Sequence, residues 1–220
     1  MKRRAVIVFG GWPGHQPERV ADHYASVLGG ENFEVTRSES LDTFADLDFL
    51  KSQDLILPHW TMDTLTPEQL AGVVSAVRDH GVGLAGCHGG MGDAFRMACE
   101  WQFMVGGQFV AHPGNAEVTY PVRFRRGSGH PLVEGLPDFE LTSEQYYMHV
   151  DPGVTVLATT PFPIAEGPHQ DNPCDMPAVW VKRFGEARVF YTTIGHFPED
   201  LMLPESQELL RRAFVWTART

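Results

Sequence analysis

The sequence predicts a doubly wound α/β fold, a mostly parallel sheet with helices on both faces and extra β-rich segments in the second half. Three observations predict it. Apolar runs alternate with amphipathic, helix-spaced segments throughout the first half. The first run, Ala5-Val6-Ile7-Val8-Phe9, is unbroken, as in a strand buried on both faces of a parallel sheet. A later run, Val82-Gly83-Leu84-Ala85, passes through Gly86-Cys87-His88-Gly89-Gly90, the glycine-flanked turn of a strand-to-helix elbow.

In order, Ala5 to Phe9 is a strand ended by Gly10-Gly11. Glu18 to Leu28 places Val20, Tyr24, Val27 and Leu28 on one side of a helix that Gly29-Gly30 ends. Phe33 to Thr36 and Asp54 to Pro58 are short strands. Thr66-Pro67-Glu68-Gln69 opens a helix, with Thr66 as N-cap, Pro67 at the first position and Gln69 closing a capping box; Gly81 stops it after Asp79-His80. Val82 to Ala85 is the next strand, and Met91 to Trp101 reads as the helix beyond the elbow. The second half changes character: Thr119 to Arg125, Phe139 to Thr142 and Thr155 to Thr159 are strand-like, Val179 to Thr192 is a hairpin about Phe184-Gly185-Glu186, and Glu205 to Thr217 is a closing helix carrying Leu209, Leu210, Phe214 and Trp216.

Bulk composition narrows the function classes. A chain of 220 residues that is 43% hydrophobic, without a linker or biased tract, suits one domain, 1–220. A net charge of −11 argues against nucleic acid and anionic membrane as partners, because both are bound through Lys and Arg. Three cysteines without a CxxC pair suit reduced thiols in the cytoplasm. The basic start followed by about five apolar residues is too short for a signal peptide and reads as the first strand.

At an elbow of this form the central side chain is lifted to the top of the sheet, and the flanking residues must be small. The frame centred on His88 fits best. Centring it on Cys87 would put Ala85 where the first glycine belongs, so Cys87 reads as a small packed thiol ending the strand.

Ligands of open α/β sheets bind beyond the carboxyl ends of the strands. The residues falling there are Trp12 and His15, His59-Trp60-Thr61, His88 with Asp93, and His196; His112 and the run Ser143 to Asp151, with Glu144, Tyr147 and His149, lie in loop-like stretches of the second half. His23, His80, His130 and His169 read as solvated or turn histidines, whereas His15, His88, His112, His149 and His196 converge from independent segments. His88, His149 and His196 are expected nearest one another. Acid–base chemistry would use His88, His149, His196 and Glu144 as catalytic groups, with His15, Trp12, Trp60, His112 and Tyr147 binding substrate. Metal-assisted chemistry is also open: His149 and Asp151 share one face of an extended segment, and His88, His112 or His196 supplies a third ligand for a divalent ion such as zinc. Nucleophilic acyl transfer fits poorly with a histidine at the elbow. Gly10-Gly11-Trp12-Pro13-Gly14 lacks both phosphate-loop patterns, so no nucleotide is expected.

Taken together, Gly10-Gly11-Trp12-Pro13-Gly14-His15, Gly86-Cys87-His88-Gly89-Gly90-Met91, His112-Pro113-Gly114, Ser143 to Pro152 and Gly185 through His196 resemble the ThuA-like, trehalose-utilisation family across nearly the whole chain. The resemblance implies a flavodoxin-like sheet similar to class I glutamine amidotransferases, with His88 standing where those enzymes carry their cysteine and His196 facing the same pocket. Glutaminase chemistry is therefore not expected. It implies a role in sugar catabolism on a small-molecule carbohydrate, a disaccharide or its 3-keto derivative. Two readings follow: an enzyme working by His-centred acid–base or metal-assisted chemistry, or a non-catalytic sugar-binding or regulatory domain. Substrate, ion and any homo-oligomer stay open at this point.

Overall fold

The computed structural model describes residues 2–220. Its first strand, β1 (Arg3–Gly11), divides the molecule. Ala5, Ile7 and Phe9 enter one apolar core and Val6 and Val8 enter another, because successive strand side chains point to opposite faces. The first core takes in α1 (Pro17–Gly30) through Val20, Tyr24 and Leu28, α6 (Pro198–Met202) through Leu201, and α7 (Pro204–Thr217) through Leu209, Ala213 and Phe214. The second takes in α3 (Pro67–Arg78) through Val73 and Val77, and α5 (Cys99–Val105) through Trp101 and Met104. Helices thus cover both faces.

Around β1 the sheet continues with β2 (Phe33–Ser38), β3 (Leu55–Thr61) and β4 (Gly83–Cys87), all parallel, and then with β11 (Ala187–Thr192), parallel to β4. The order 2-1-3-4-11 reverses direction at β1, which makes the β1/β3 edge the switch point. Beyond β11 the pairing turns antiparallel through β10 (Cys174–Phe184), β9 (Thr155–Phe162), β6 (Val118–Phe124) and β7 (Phe139–Ser143). These are the β-rich additions, and they extend the parallel half within a single nine-stranded sheet.

Local sequence explains most boundaries. The Thr66–Gln69 capping box forms at the start of α3, and the β10–β11 turn has Gly185 at φ +57°, a left-handed position suited to glycine. One element differs from expectation. In place of a helix over 91–101 there are α4 (His88–Gly92) and α5, separated by an irregular stretch. The carbonyls of Asp93 and Ala94, which a continuing helix would use internally, instead accept from the backbone N–H groups of Met62 and Asp63. Three glycines in α4 add little helix propensity of their own.

The short helix α2 (Leu47–Lys51), the strand β5 (Gly107–Ala111) and its antiparallel partner β8 (Tyr147–Val150) lie where the sequence offered no marked period. β8 occupies part of the 143–151 stretch that reads as a loop. No helix among the described residues is long and apolar enough to cross a membrane.

Candidate functional site

The carboxyl ends of β1, β3, β4 and β11 meet beneath a cleft of about 360 Å³, within the range of small-molecule sites. A single 3-10 turn after β1, Pro13–His15, swings His15 back over the sheet. Its Nδ1 lies 2.7 Å from Oγ1 of Thr61, the last residue of β3. His88 follows β4 directly, and the loop after β11 supplies Thr193 and His196. Glu144 arrives from the antiparallel half, just after β7.

His88 stands at φ +45°, a left-handed conformation that a non-glycine residue seldom adopts, as expected for the tip of an elbow. Tyr191 on β11 donates from its hydroxyl to the His88 carbonyl at 3.0 Å, holding the turn in place. The following glycines are required for space: a Cβ at Gly89 would lie 2.3 Å from His15, one at Gly90 2.2 Å from His59, and one at Gly92 2.1 Å from the Tyr191 hydroxyl. The His88 ring is fully buried, stacked on Tyr146 with centroids 3.8 Å apart. The elbow therefore does not display the ring in the cleft: it lies beneath the lining, to which His15, Glu144 and Tyr146 belong.

Four side chains converge there. His15, His88, His196 and Glu144 are all buried, and each offers a donor atom within 4.8 Å of the others. His88 Nδ1 donates to the Thr193 carbonyl at 2.7 Å, and its Nε2 faces Glu144 Oε2 at 3.2 Å. His196 Nδ1 stands 3.2 Å from the same carboxylate oxygen, but no hydrogen bond satisfies it. His112 reaches from the rim, its Nδ1 3.7 Å from Glu144 Oε1.

Glu144 is held from both sides. Ser143 donates to Asp200 at 2.7 Å, Gln145 donates to Thr160 and to the Pro161 carbonyl, and Tyr120 donates to the carbonyl of Glu144 itself at 3.0 Å. A carboxylate so fixed loses little rotamer freedom on engaging a ligand. Burial works to raise the Glu144 pKa, but the His196 and His88 rings set against the carboxylate outweigh it and keep the carboxyl below its usual range. Burial pushes His15 down to about 2, with the neighbouring histidines adding to it. Burial also lowers His88, against the opposing pull of Glu144 and the Thr193 carbonyl. At neutral pH the cluster therefore holds an ionised carboxylate beside the neutral rings of His15 and His88.

The remaining expected site residues lie elsewhere or act differently. His149 is exposed on β8, because the buried position of that strand belongs to Met148; His15 takes the place expected for it beside His88 and His196. The companion ligand considered for it, Asp151, is engaged by Lys182 at 2.6 Å. Tyr147 is half-buried and lines an adjoining groove with His112 and His169. Trp60 lies over Gly10 and Gly11 and donates to Asp63, so it closes the β1/β3 edge. Trp12 is 42% exposed at the cleft mouth, its ring edge-on to His15 at 4.7 Å. Asp93, also at the mouth, is clasped by Arg96.

His59 is fully buried between Tyr24 and Gly90 beneath the cluster. Cys87 is buried too. Tyr24 donates to its sulfur at 2.9 Å, and burial pushes the thiol up to about 12 against that hydrogen bond, so it is an inert packing group. Tyr120, Tyr191, Thr193 and Gln145 are the positioning residues that sequence reasoning missed. Each acts through a long-range partner and carries no local signature.

Comparison with known proteins bears on this geometry. The fold is similar to a protein from Parabacteroides merdae described as ThuA-like, at 17% identity and a TM-score of 0.78 over 99% of this chain and 90% of that one. A second ThuA-like protein, from Bacteroides uniformis, matches at 18% identity and a TM-score of 0.74 over 97% of this chain and 89% of the other. A cytoplasmic protein of Salmonella typhimurium, STM1381, matches at 11% identity and a TM-score of 0.70 over the full length of both. No curated protein matches by sequence. The family model described as trehalose utilisation matches residues 4–217, nearly the whole length, and the chain therefore belongs to the ThuA family.

Proposed function

We propose that this protein is a carbohydrate-processing enzyme of sugar catabolism, acting on disaccharides or their 3-keto derivatives through the Glu144 and histidine cluster. The observation that carries the reading is the buried carboxylate beside three imidazoles at the switch point, open to a cleft whose mouth presents Trp12. An indole face packs well on the apolar C–H face of a sugar ring, and a pocket meant only for recognition has little use for so many ionisable groups.

In a 3-keto glycoside the hydrogen on C2 is acidified by the neighbouring carbonyl, and the glycosidic oxygen on C1 is β to it. Glu144, ionised and fixed, takes the C2 proton; the C–H electrons form the C2–C3 enolate. When the carbonyl re-forms, the C1–O bond breaks, and the leaving alkoxide receives the proton that Glu144 took from C2, passed on through the His112 ring beside Oε1, which leaves the carboxylate ionised again. Water addition to the resulting unsaturated ketone completes hydrolysis. His88 and His196 border the carboxylate and steady the charge shift.

The test is turnover of a panel of disaccharides and 3-keto glycosides by the wild type, Glu144→Gln and His196→Ala, with His130→Ala as a distant control. The two cluster variants are expected to lose about 10²–10⁴ in kcat, the usual scale for a general acid–base group, and the control to lose nothing. A wild type that binds these sugars without turning any over assigns the cleft to recognition, and one that neither binds nor converts them overturns the reading.

A further inference from the structure

We infer that His15, His88, His196 and Glu144 form a binding site for one divalent first-row transition ion of the zinc or cobalt class. The inference deepens the reading above and rests on it, since it concerns the same cleft: Oε2 of Glu144, on the His88 and His196 side, would face the ion, and Oε1, on the His112 side, keeps the proton-accepting role.

The first argument is a count of hydrogens. A carbonyl oxygen can only accept, so the 2.7 Å contact to Thr193 places the ring proton of His88 on Nδ1. In the neutral tautomer this leaves the lone pair on Nε2, which faces Glu144 Oε2 from 3.2 Å, so that two ligand atoms are turned toward one point. His196 adds an unpartnered polar atom beside the same carboxylate. It is 7% exposed, its Nδ1 is buried without a hydrogen-bond partner, and the same carboxylate oxygen stands 3.2 Å away. Buried polar atoms are rarely left unpartnered, and a cation shared by the two rings and the carboxylate satisfies all three.

The second argument is geometry. The four donor atoms lie within 4.8 Å of one another, and the three rings are mutually close, with centroids 4.8, 5.2 and 5.5 Å apart. Ligands about 2.0–2.2 Å from a common ion sit roughly 3–4 Å from each other, so the site needs only small side-chain shifts to close on one. Three imidazoles and a carboxylate suit zinc, cobalt or iron and not calcium or magnesium, which take oxygen ligands.

The third argument is the support behind each ligand. Thr193 orients His88, Thr61 Oγ1 contacts His15 at 2.7 Å, and Tyr120 and Gln145 anchor the chain about Glu144. Partners of this kind fix tautomer and ring plane in metal sites. One carboxylate against a divalent ion leaves a net positive charge at the floor of the cleft, the sign that steadies an enolate or alkoxide.

The experiment uses untagged, full-length protein and no sugar, so that its failure is separate from failure of the carbohydrate assay. Protein stripped with chelator is titrated with Zn²⁺ by calorimetry and with Co²⁺ by visible absorption, and its Tm is followed in both states. Expected are one equivalent per chain, cobalt ligand-field bands, and a Tm that rises with the free ion. His196→Ala and Glu144→Gln, one on a loop and one near-isosteric, should each weaken binding by more than the ~10–100-fold that loss of an outer partner costs. His80→Ala and His130→Ala should match wild type. An absence of stoichiometric binding overturns the inference, as does binding that the two cluster variants leave unchanged.

Discussion

Replacing Gly90 by Ala tests whether the elbow owes its shape to close packing. Gly90 lies in α4 without a positive φ, so alanine meets no backbone strain there, and by propensity alone the change would favour the helix. The new methyl would instead lie 2.2 Å from His59 Nδ1 and 2.7 and 2.8 Å from two further ring atoms, where ordinary contact begins near 3.4 Å. His59 has nowhere to go. It is fully buried, with Cys87 Sγ 3.9 Å from one nitrogen and the His15 carbonyl 3.4 Å from the other. Overpacking of this kind costs about 1–3 kcal/mol, which for a chain of this size lowers Tm by roughly 2–12 °C. Gly30, at the end of α1 with nothing within 4 Å of where a Cβ would lie, is the matched control. Alanine there should stabilise by about 0.4–1 kcal/mol, because it restricts the unfolded chain without a clash. Urea unfolding of both variants beside wild type gives the comparison, and a Gly90→Ala protein as stable as Gly30→Ala would refute the packing argument.

Three further outcomes are expected. His23 is held below its ordinary value by burial, partly offset by the Leu201 carbonyl. Below about pH 6.5 the unfolded chain takes up a proton that the folded one refuses, so stability falls as pH drops toward the lowered value and is unaffected above it. His23→Gln should flatten that part of a Tm-against-pH curve, and an unchanged slope would discount the residue. Lys182 donates to Asp151 and to the Phe103 carbonyl, each at 2.6 Å, with its side chain only 7% exposed. Lys182→Met strands a partly buried carboxylate, and a loss of about 1–3 kcal/mol in urea unfolding is expected, less than for a fully buried pair. A thiol count with a colourless disulfide reagent should find Cys99 and Cys174 reactive in the native protein and Cys87 only after unfolding, with glutamine hydrolysis at background throughout. A third native thiol coupled to glutaminase activity would reverse the assignment of Cys87.

The parallel half was legible because its signals are local. Ala5 to Phe9 carries its burial in an unbroken apolar run, Thr66 and Gln69 carry a helix start within four residues, and the elbow writes its tight backbone into its glycines. His15, His88 and His196 could be placed at strand ends by the same logic. The choice of His149 over His15 could not be corrected from the sequence, because β8 pairs with β5, a partner some forty positions away, and that pairing alone decides which face of the strand is buried. The break after α4 has the same origin, since the backbone groups that end it belong to the loop after β3. Tyr120 and Gln145, which set Glu144, are ordinary strand and loop residues until their partners arrive from the third dimension.

β11, near the end of the sequence, is inserted between β4 and β10 in the middle of the sheet. A ribosome delivering the chain from its start makes β1 to β4 and the elbow first, yet these cannot finish their sheet until a strand almost a hundred residues later has emerged. Until then the edge of β4 is bare, and His88 lacks both the Tyr191 hydroxyl and the Thr193 carbonyl that hold it. Contacts so distant in sequence slow folding, because the loop must close before they repay it. The same wiring acts as a safeguard during synthesis. A nascent or truncated chain presents an elbow without a pocket, and only the whole molecule brings His15, His88, His196 and Glu144 together.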